Sequence, residues 1–97
     1  MKAFRFHEQA HAELLAAADY YEAERSGWGR KFLESVAAAI EQLRYDPTAR
    51  PILEGEVRRQ PVRRFPFDVL YADEPEFIRI LAVKHYARDD DFWQNRL

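Results

Sequence analysis

The spacing of apolar residues changes its period along the chain, and each change predicts a boundary between elements. Residues 2–7 alternate between polar and apolar, which predicts a short strand with one buried face. From Glu8 to Arg25 the spacing is helical, and Ser26-Gly27 ends this helix. A second helix is predicted from Trp28 or Gly29 to Tyr45, before the stop signal Asp46-Pro47. The solvent side of the first helix is expected to carry the acids Glu13, Asp19, Glu22 and Glu24.

The second half of the chain has the pattern of strands joined by turns. Residues 46–56 contain two prolines and a glycine, and we expect a loop there. Pro61 restricts the strand around it to a sheet edge or a bulge, and Asp73–Glu76 predicts a turn. Beyond the strands, Phe92 and Trp93 are expected to pack the tail onto the sheet, within a turn of helix around Asp91-Phe92-Trp93. The predicted strands cover Val57–Arg64, Phe65–Tyr71 and Phe77–Val83.

These elements follow one another in the order β-α-α-β-β-β and predict a single α+β domain over residues 1–97. Two or three residues join the helices, so the helices must pack against each other as an antiparallel hairpin. The strands are expected to form an antiparallel sheet, with the hairpin on one face and the other face partly open. The most apolar strand, Phe77–Val83, is expected at the centre of the sheet.

Composition narrows the class of protein. Aromatic residues make up 14% of the 97 residues, enough to fill a small core and to exclude a disordered chain. Cysteine is absent, which excludes disulfides, thiolate metal sites and cysteine nucleophiles. His7 and His11 lack a third ligand nearby in the sequence, which argues against a zinc site. We therefore expect neither a metal nor a cofactor. No apolar run suits a membrane span or a signal peptide, so we expect a cytoplasmic protein.

The arginines are concentrated in one short segment. Residues 8–56 carry ten acids against five bases, whereas four arginines fall within the next few residues. Guanidinium groups suit carboxylates and phosphates, so the cluster indicates an acidic peptide or a nucleic-acid backbone as partner. The alternative is a solvated edge strand whose charges prevent pairing with another sheet. The cluster consists of Arg58, Arg59, Arg63 and Arg64.

A second group of polar side chains follows the most apolar strand. His85, Tyr86 and Arg88 have the chemistry of a base, a proton donor and a phosphate clamp in RNA cleavage. Asp89-Asp90-Asp91 has the chemistry to bind a hard cation. The alternatives are a structural histidine, and an acidic triplet that is solvated or caps a helix.

Four stretches of the chain resemble one known family. They are Ala16–Glu22 (AAADYYE), Gly29–Leu33 (GRKFL), Arg58–Tyr71 with its RRFPF-x-V-x-Y run, and Val83–Trp93 with its closing RD-x-x-FW. Together they are similar to the RelE/ParE superfamily of small toxins from bacterial toxin–antitoxin operons. The closest likeness is to the ParE branch, whose members are often called plasmid stabilisation proteins. The resemblance spans nearly the whole chain and implies the β-α-α-β-β-β fold that the pattern also predicts.

The resemblance implies a toxin, and the superfamily has two mechanisms. ParE-like members are not known as nucleases and poison DNA gyrase, which is the activity expected here. RelE-like members cut messenger RNA on the ribosome, and the candidate catalytic residues for this alternative are Arg64, His85, Tyr86 and Arg88. The chain departs from the RelE pattern at Phe92, which has no hydroxyl, and at Asp68, where many relatives of both branches carry arginine. A third possibility is a non-toxic binding module on the same fold.

The resemblance also implies a protein partner. Toxins of this family are held inactive by a cognate antitoxin encoded beside them, whose disordered segment folds onto the toxin to give a hetero-oligomer. Trp28, at the predicted tip of the hairpin, suits such an interface and suits equally a role in capping the core of the hairpin. The residues expected to bind the antitoxin or the target are Arg58, Arg59, Arg63, Arg64, Tyr20, Trp28, Leu33, Arg88 and Trp93.

Overall fold

The computed structural model describes residues 1–97 and contains two α-helices, five strands and a short 3-10 helix. The chain begins with β1 (Ala3–Phe6), α1 (Glu8–Glu24) and α2 (Trp28–Tyr45). The α+β fold with a helical hairpin, predicted from the sequence, is confirmed. Neither helix has the length and hydrophobicity of a membrane-spanning segment. The other elements are β2 (Ile52–Glu54), β3 (Val57–Pro61), β4 (Phe67–Asp73), β5 (Phe77–His85) and the 3-10 helix Gln94–Arg96.

The five strands form one sheet in the order β1-β5-β4-β3-β2. The pairs β2–β3, β3–β4 and β4–β5 are antiparallel, as predicted. β1 pairs with β5 in the parallel sense, from Ala3 opposite Phe77 to Phe6 opposite Ile80, so the sheet is mixed rather than purely antiparallel. Parallel neighbours require a long crossover, and the helical hairpin together with three strands supplies it.

The loop predicted over residues 46–56 contains an additional strand, β2. It is only three residues long, and it is joined to β3 by a turn in which Gly55 has a φ of 60°. Over three residues the alternation of polar and apolar side chains is too brief to be recognised, which is why the sequence predicts only a loop.

The connection between β3 and β4 also differs from the prediction. β3 ends at Pro61, and residues 62–66 form a turn that is closed by the hydrogen bond from Val62 N–H to the Phe67 carbonyl at 2.9 Å. Arg64 has a φ of 74° within this turn, in the left-handed region. Arg63 and Arg64 therefore lie in a turn and not on the strand predicted over Val57–Arg64.

The larger core lies between the hairpin and one face of the sheet. α1 and α2 approach each other closely at Gly29, where a Cβ atom would lie 2.6 Å from the carbonyl oxygen of Ala18. α2 then presents a stripe at helical spacing to the sheet, because its apolar residues recur every three or four positions. The stripe consists of Phe32, Val36, Ala39, Ile40 and Leu43.

A bulge in β5 changes which of its side chains face the hairpin. Leu70 pairs with Ala82 and the next residue of β4, Tyr71, pairs with Ile80, so Leu81 has no partner in β4. Leu81 and Ala82 both belong to a smaller core cluster on the opposite face, together with Trp93 from the tail. The tail therefore covers part of the face that the sequence predicts to be partly open, although its helical turn falls at Gln94–Arg96 and not around Trp93.

Candidate functional site

One carboxylate on the first helix fixes the tail of the chain. Arg96 donates from Nη1 to Oε1 of Glu13 at 3.0 Å and from Nη2 to Oε2 at 2.8 Å, and Arg88 donates to Oε2 at 2.9 Å. The carboxylate also accepts the backbone N–H of Val83, and Arg96 donates to the carbonyl of Leu81. β1 pairs with β5 only as far as Ile80. Beyond that point, Glu13 and Arg96 bond to backbone groups at the edge of β5 in place of a neighbouring strand.

Glu13 does not lie on the solvent side of α1, where the sequence predicts it. Its side chain is only 14% exposed. It follows the buried Ala10 by three residues and precedes the half-buried Ala17 by four, so all three share the packed face of the helix. That spacing was the available signal, because a carboxylate between two packed alanines needs a cation to offset its desolvation.

The two aromatic residues of the tail are packed against neighbouring side chains. The Phe92 ring lies between two guanidinium groups, with Cζ of Arg88 at 3.4 Å and Cζ of Arg96 at 4.9 Å from its centroid. Trp93 is 1% exposed and packs in the smaller core cluster. Trp93, predicted from the sequence to bind a partner, therefore has almost no exposed surface in this structure.

The four clustered arginines occupy three different environments. Arg58 donates to the backbone carbonyls of Thr48 and Arg50 and so holds the segment before β2. Arg59 is exposed and lines a cleft on the face of the sheet opposite the hairpin. Arg63 and Arg64 line a different cleft beside α2. The sequence cluster is therefore not one continuous patch.

The cleft that contains Arg59 has a volume of about 420 Å³ and carries both signs of charge. Lys84 Nζ lies 3.4 Å from Oδ1 of Asp90 in this cleft, and Asp68 occupies the position opposite Lys84 on the neighbouring strand. Asp68 is 8% exposed, and burial raises the pKa of its carboxyl, although Arg59 and Lys84 oppose the rise. We call this site the mixed-charge cleft; its polar lining consists of Arg59, Asp68, Lys84, Tyr86 and Asp90.

The residues of the ribonuclease alternative are not gathered in one cleft. Tyr86 lines the mixed-charge cleft, whereas Arg64 lines the cleft beside α2. Arg88 is paired with Glu13. His85 accepts the backbone N–H of Ala87 on Nδ1 at 2.9 Å, and its ring packs 5.0 Å from that of Phe67. A phosphate in the mixed-charge cleft would meet the carboxylates of Asp68 and Asp90 beside the two cations.

The cleft beside α2 has a volume of about 350 Å³ and lies between this helix and the turn from β3 to β4. Its small residues Ala38 and Ala39 leave room above the helix backbone. Arg64 is held there in the left-handed region, at a cost of about 1–2 kcal/mol for a residue with a Cβ. We call this site the basic cleft; its charged lining consists of Lys31, Glu34, Arg63 and Arg64.

An apolar groove of about 230 Å³ lies between β1 and the two helices. Phe4 and Leu33 on its rim are 37% and 38% exposed. Leu33, which the sequence predicts to contact the antitoxin, thus borders an apolar surface that the hairpin does not cover. The apolar lining of the groove consists of Phe4, Phe6, Leu14, Leu33, Val36, Ala37 and Ile40.

The aromatic residues near the tip of the hairpin are partly engaged in the core. Trp28 is half-buried and meets the Phe65 ring edge-on, with 6.1 Å between centroids, while Arg25 and Lys31 place their cations over the indole. Tyr20 is exposed. Trp28 therefore caps the core through one edge and still presents part of its ring at the surface.

The two N-terminal histidines have separate structural contacts. His7 caps α1 by accepting the backbone N–H of Gln9 on Nδ1 at 3.1 Å. The His11 ring packs edge-on against Phe6, with 5.9 Å between centroids. No group of three or more histidine, aspartate or glutamate side chains lies close enough to hold a metal ion.

Comparison with known proteins identifies a family and similar solved structures. The family model described as the ParE toxin of the type II toxin–antitoxin system, parDE, matches residues 4–90. A solved structure described as the chromosomal ParDE TA system from P. aeruginosa is similar, with 24% sequence identity and a TM-score of 0.65. The likeness covers 88% of this chain and 96% of that chain, and at this identity it establishes the fold. A search of curated proteins finds no match.

Proposed function

The chain belongs to the ParE toxin family of type II toxin–antitoxin systems, and from this premise we propose that it arrests growth by poisoning DNA gyrase. Gyrase cuts and reseals DNA, so a protein that binds it between these steps leaves the DNA broken. The family is defined by a toxin paired with an antitoxin, and we infer that a cognate antitoxin neutralises this chain. The match of the family model over residues 4–90 is the observation that carries the proposal.

The placement of polar side chains supports gyrase poisoning over RNA cleavage. Cleavage by the RelE route requires cations on the phosphate and a proton donor within hydrogen-bond reach of the leaving oxygen. Here Arg88 is engaged by Glu13, and Phe92 offers no hydroxyl. Asp68 adds a buried carboxylate to the cleft that Tyr86 lines, which disfavours a phosphate there. Binding to a protein target needs no such constellation.

We assign the antitoxin to the apolar groove. The groove is lined by three elements and leaves Phe4 and Leu33 exposed at its rim. A disordered segment that folds as an amphipathic helix gains affinity by burying apolar side chains in a groove of this kind. The exposed Tyr20 and the half-buried Trp28 add aromatic surface near the tip of the hairpin. The antitoxin is therefore expected to cover the hairpin and leave the opposite face of the sheet free.

A supercoiling assay with purified gyrase, relaxed plasmid and refolded protein tests the proposed activity. We expect loss of supercoiling and accumulation of cleaved plasmid, both reversed when the antitoxin encoded beside the toxin is added first. Normal supercoiling at saturating protein overturns the proposal. A translation extract supplied with messenger RNA then separates the two remaining possibilities, because RNA cleavage indicates the RelE route and intact RNA indicates a non-toxic binding module.

A further inference from the structure

Six of the fifteen lysine and arginine side chains form neither a hydrogen bond nor an ion pair with another residue. Three of the six line the basic cleft, namely Lys31, Arg63 and Arg64. Glu34 is the one acid in the lining, and it pairs with Arg30, with 3.8 Å between Glu34 Oε2 and Arg30 Nε. The cleft thus concentrates unneutralised positive charge in a chain whose net charge is −2. The remaining three unpaired cations are Arg5, Arg25 and Arg59.

The basic cleft has the shape of a trough along α2. Its lining runs from Lys31 to Gln42 on the helix, which corresponds to about 16 Å at the rise of an α-helix. Pro61, Arg63 and Arg64 provide lining on the side of the β3–β4 turn. A trough of this length matches about five residues of extended chain. A single small anion would occupy only one end of it.

The positive φ of Arg64 indicates a functional role for this residue. The only other residues with positive φ are Gly27 and Gly55, which have no Cβ and adopt that region freely. A non-glycine residue in the left-handed region costs free energy, and such positions concentrate at functional sites. No contact of the Arg64 guanidinium group within the chain offsets this cost. The group has no hydrogen-bond acceptor and no acidic side chain within pairing distance.

We propose that the basic cleft binds an extended, carboxylate-rich segment of a partner protein. The lining supplies two guanidinium forks and an ammonium with no acid paired to them, and these groups suit the carboxylates of one peptide. A nucleic-acid backbone fits less well, because proteins that bind one usually carry a strong positive excess, whereas this chain has a pI of about 5.9. The proposal does not depend on gyrase as the target, since it concerns only what this cleft recognises.

Fluorescence anisotropy with a fluorescein-labelled hexaglutamate peptide and the full chain tests the proposal. We expect binding at low ionic strength that weakens as salt is added. The double variant Arg63→Ala/Arg64→Gly is expected to bind about tenfold or more weakly, because two charge-assisted contacts are lost. Glycine at position 64 retains the positive φ, so the turn is preserved. Arg5→Ala removes an unpaired arginine outside the cleft and is expected to leave the affinity unchanged.

Each result either supports or overturns the assignment. Amide chemical shifts that move in residues 31–42 and 62–64 when hexaglutamate is added support it. Equal affinity of the double variant and the wild type overturns it, as does the absence of binding at millimolar peptide. A labelled oligothymidylate that binds more tightly than hexaglutamate also overturns it and identifies the cleft as a phosphodiester site. A supercoiling assay on the same double variant reports separately on gyrase.

Discussion

Glu13 and Arg96, 83 residues apart in the sequence, meet through two parallel hydrogen bonds of 3.0 and 2.8 Å. The side chains are 14% and 5% exposed, so little solvent screens the pair. A buried fork of this geometry is strong once formed, and removing one partner leaves a buried charge without compensation. The pair joins α1 to the tail and thereby holds Trp93 in the smaller core cluster.

Glu13→Ala is expected to lower the free energy of unfolding by about 3 kcal/mol, because Arg96 is left buried without a counter-charge. Urea unfolding followed by circular dichroism measures the loss. Glu41→Ala is the matched control. The Glu41 side chain is 55% exposed, and its partner Arg44 keeps the Lys2 carbonyl as an acceptor, so the loss should cost less than about 1 kcal/mol. Equal losses in the two variants would show that the tail is not anchored through Glu13.

Asp68→Asn is expected to stabilise the protein at neutral pH. Burial raises the pKa of Asp68 above its ordinary value of 3.8, so the folded protein retains a proton that the unfolded chain releases. Stability of the wild type therefore falls as the pH rises from 3.8 through the folded pKa, and the asparagine variant lacks this fall. Urea midpoints measured across the pH range should converge below pH 3.8 and diverge above it. Asp91→Asn, at an exposed position, should follow the wild-type curve.

Glycine is expected to be tolerated at position 64 but to destabilise the protein at position 63. Glycine at position 64 removes the cost of a Cβ at a φ of 74°, which offsets the entropy that glycine adds to the unfolded chain. We expect a variant as stable as the wild type or more stable by up to about 1 kcal/mol. Arg63 has no positive φ, so glycine there should cost about 0.5–1 kcal/mol. Thermal unfolding of both variants decides the comparison, and equal shifts would contradict it.

Gly29→Ala is expected to destabilise the fold by about 2 kcal/mol, although alanine is the better helix former. The added Cβ would lie 2.6 Å from the Ala18 carbonyl, and the helices must separate to admit it. Gly27→Ala is the control, because no atom lies within 4 Å of a Cβ added at this position. Only the φ of 89° disfavours alanine there. That variant should lose about 1 kcal/mol, and a larger loss than in Gly29→Ala would argue against close packing of the hairpin.

Leu33→Glu is expected to free the toxin from its antitoxin. A charge on the rim of the apolar groove loses buried apolar area and adds a desolvation cost, which together weaken binding by about thirtyfold or more. Isothermal titration with the cognate antitoxin measures the change. Leu15→Glu is the matched control, since Leu15 is exposed but does not line the groove. Similar weakening by both substitutions would place the antitoxin elsewhere.

The sequence predicted the parts of the fold that depend on local periodicity. Both helices and the three main strands follow from repeats of 3.6 and two residues. The parallel pairing of β1 with β5 could not be predicted in this way, because the choice of a neighbouring strand depends on contacts between distant residues.

The mixed-charge cleft and the basic cleft could not be predicted from the sequence for a related reason. Arg58 and Arg59 are neighbours in the chain and point to opposite faces of a strand, so one holds a loop and the other lines a cleft. Lys31 joins Arg63 and Arg64 only because the β3–β4 turn lies against α2. The position of Glu13 on the packed face of α1 could have been predicted, because its spacing from Ala10 and Ala17 indicates which face it occupies.

The pairing of β1 with β5 has a consequence for how the protein is made. A ribosome delivers Ala3–Phe6 first, and the strand beside which it must lie, Phe77–His85, emerges some seventy residues later. The helical hairpin can form early from its own contacts, but its apolar stripe has no sheet to cover until β4 and β5 have been synthesised. During that interval the nascent chain exposes Phe32, Val36 and Ile40 to any protein nearby, so a chaperone or an antitoxin already present would meet the toxin before it is complete.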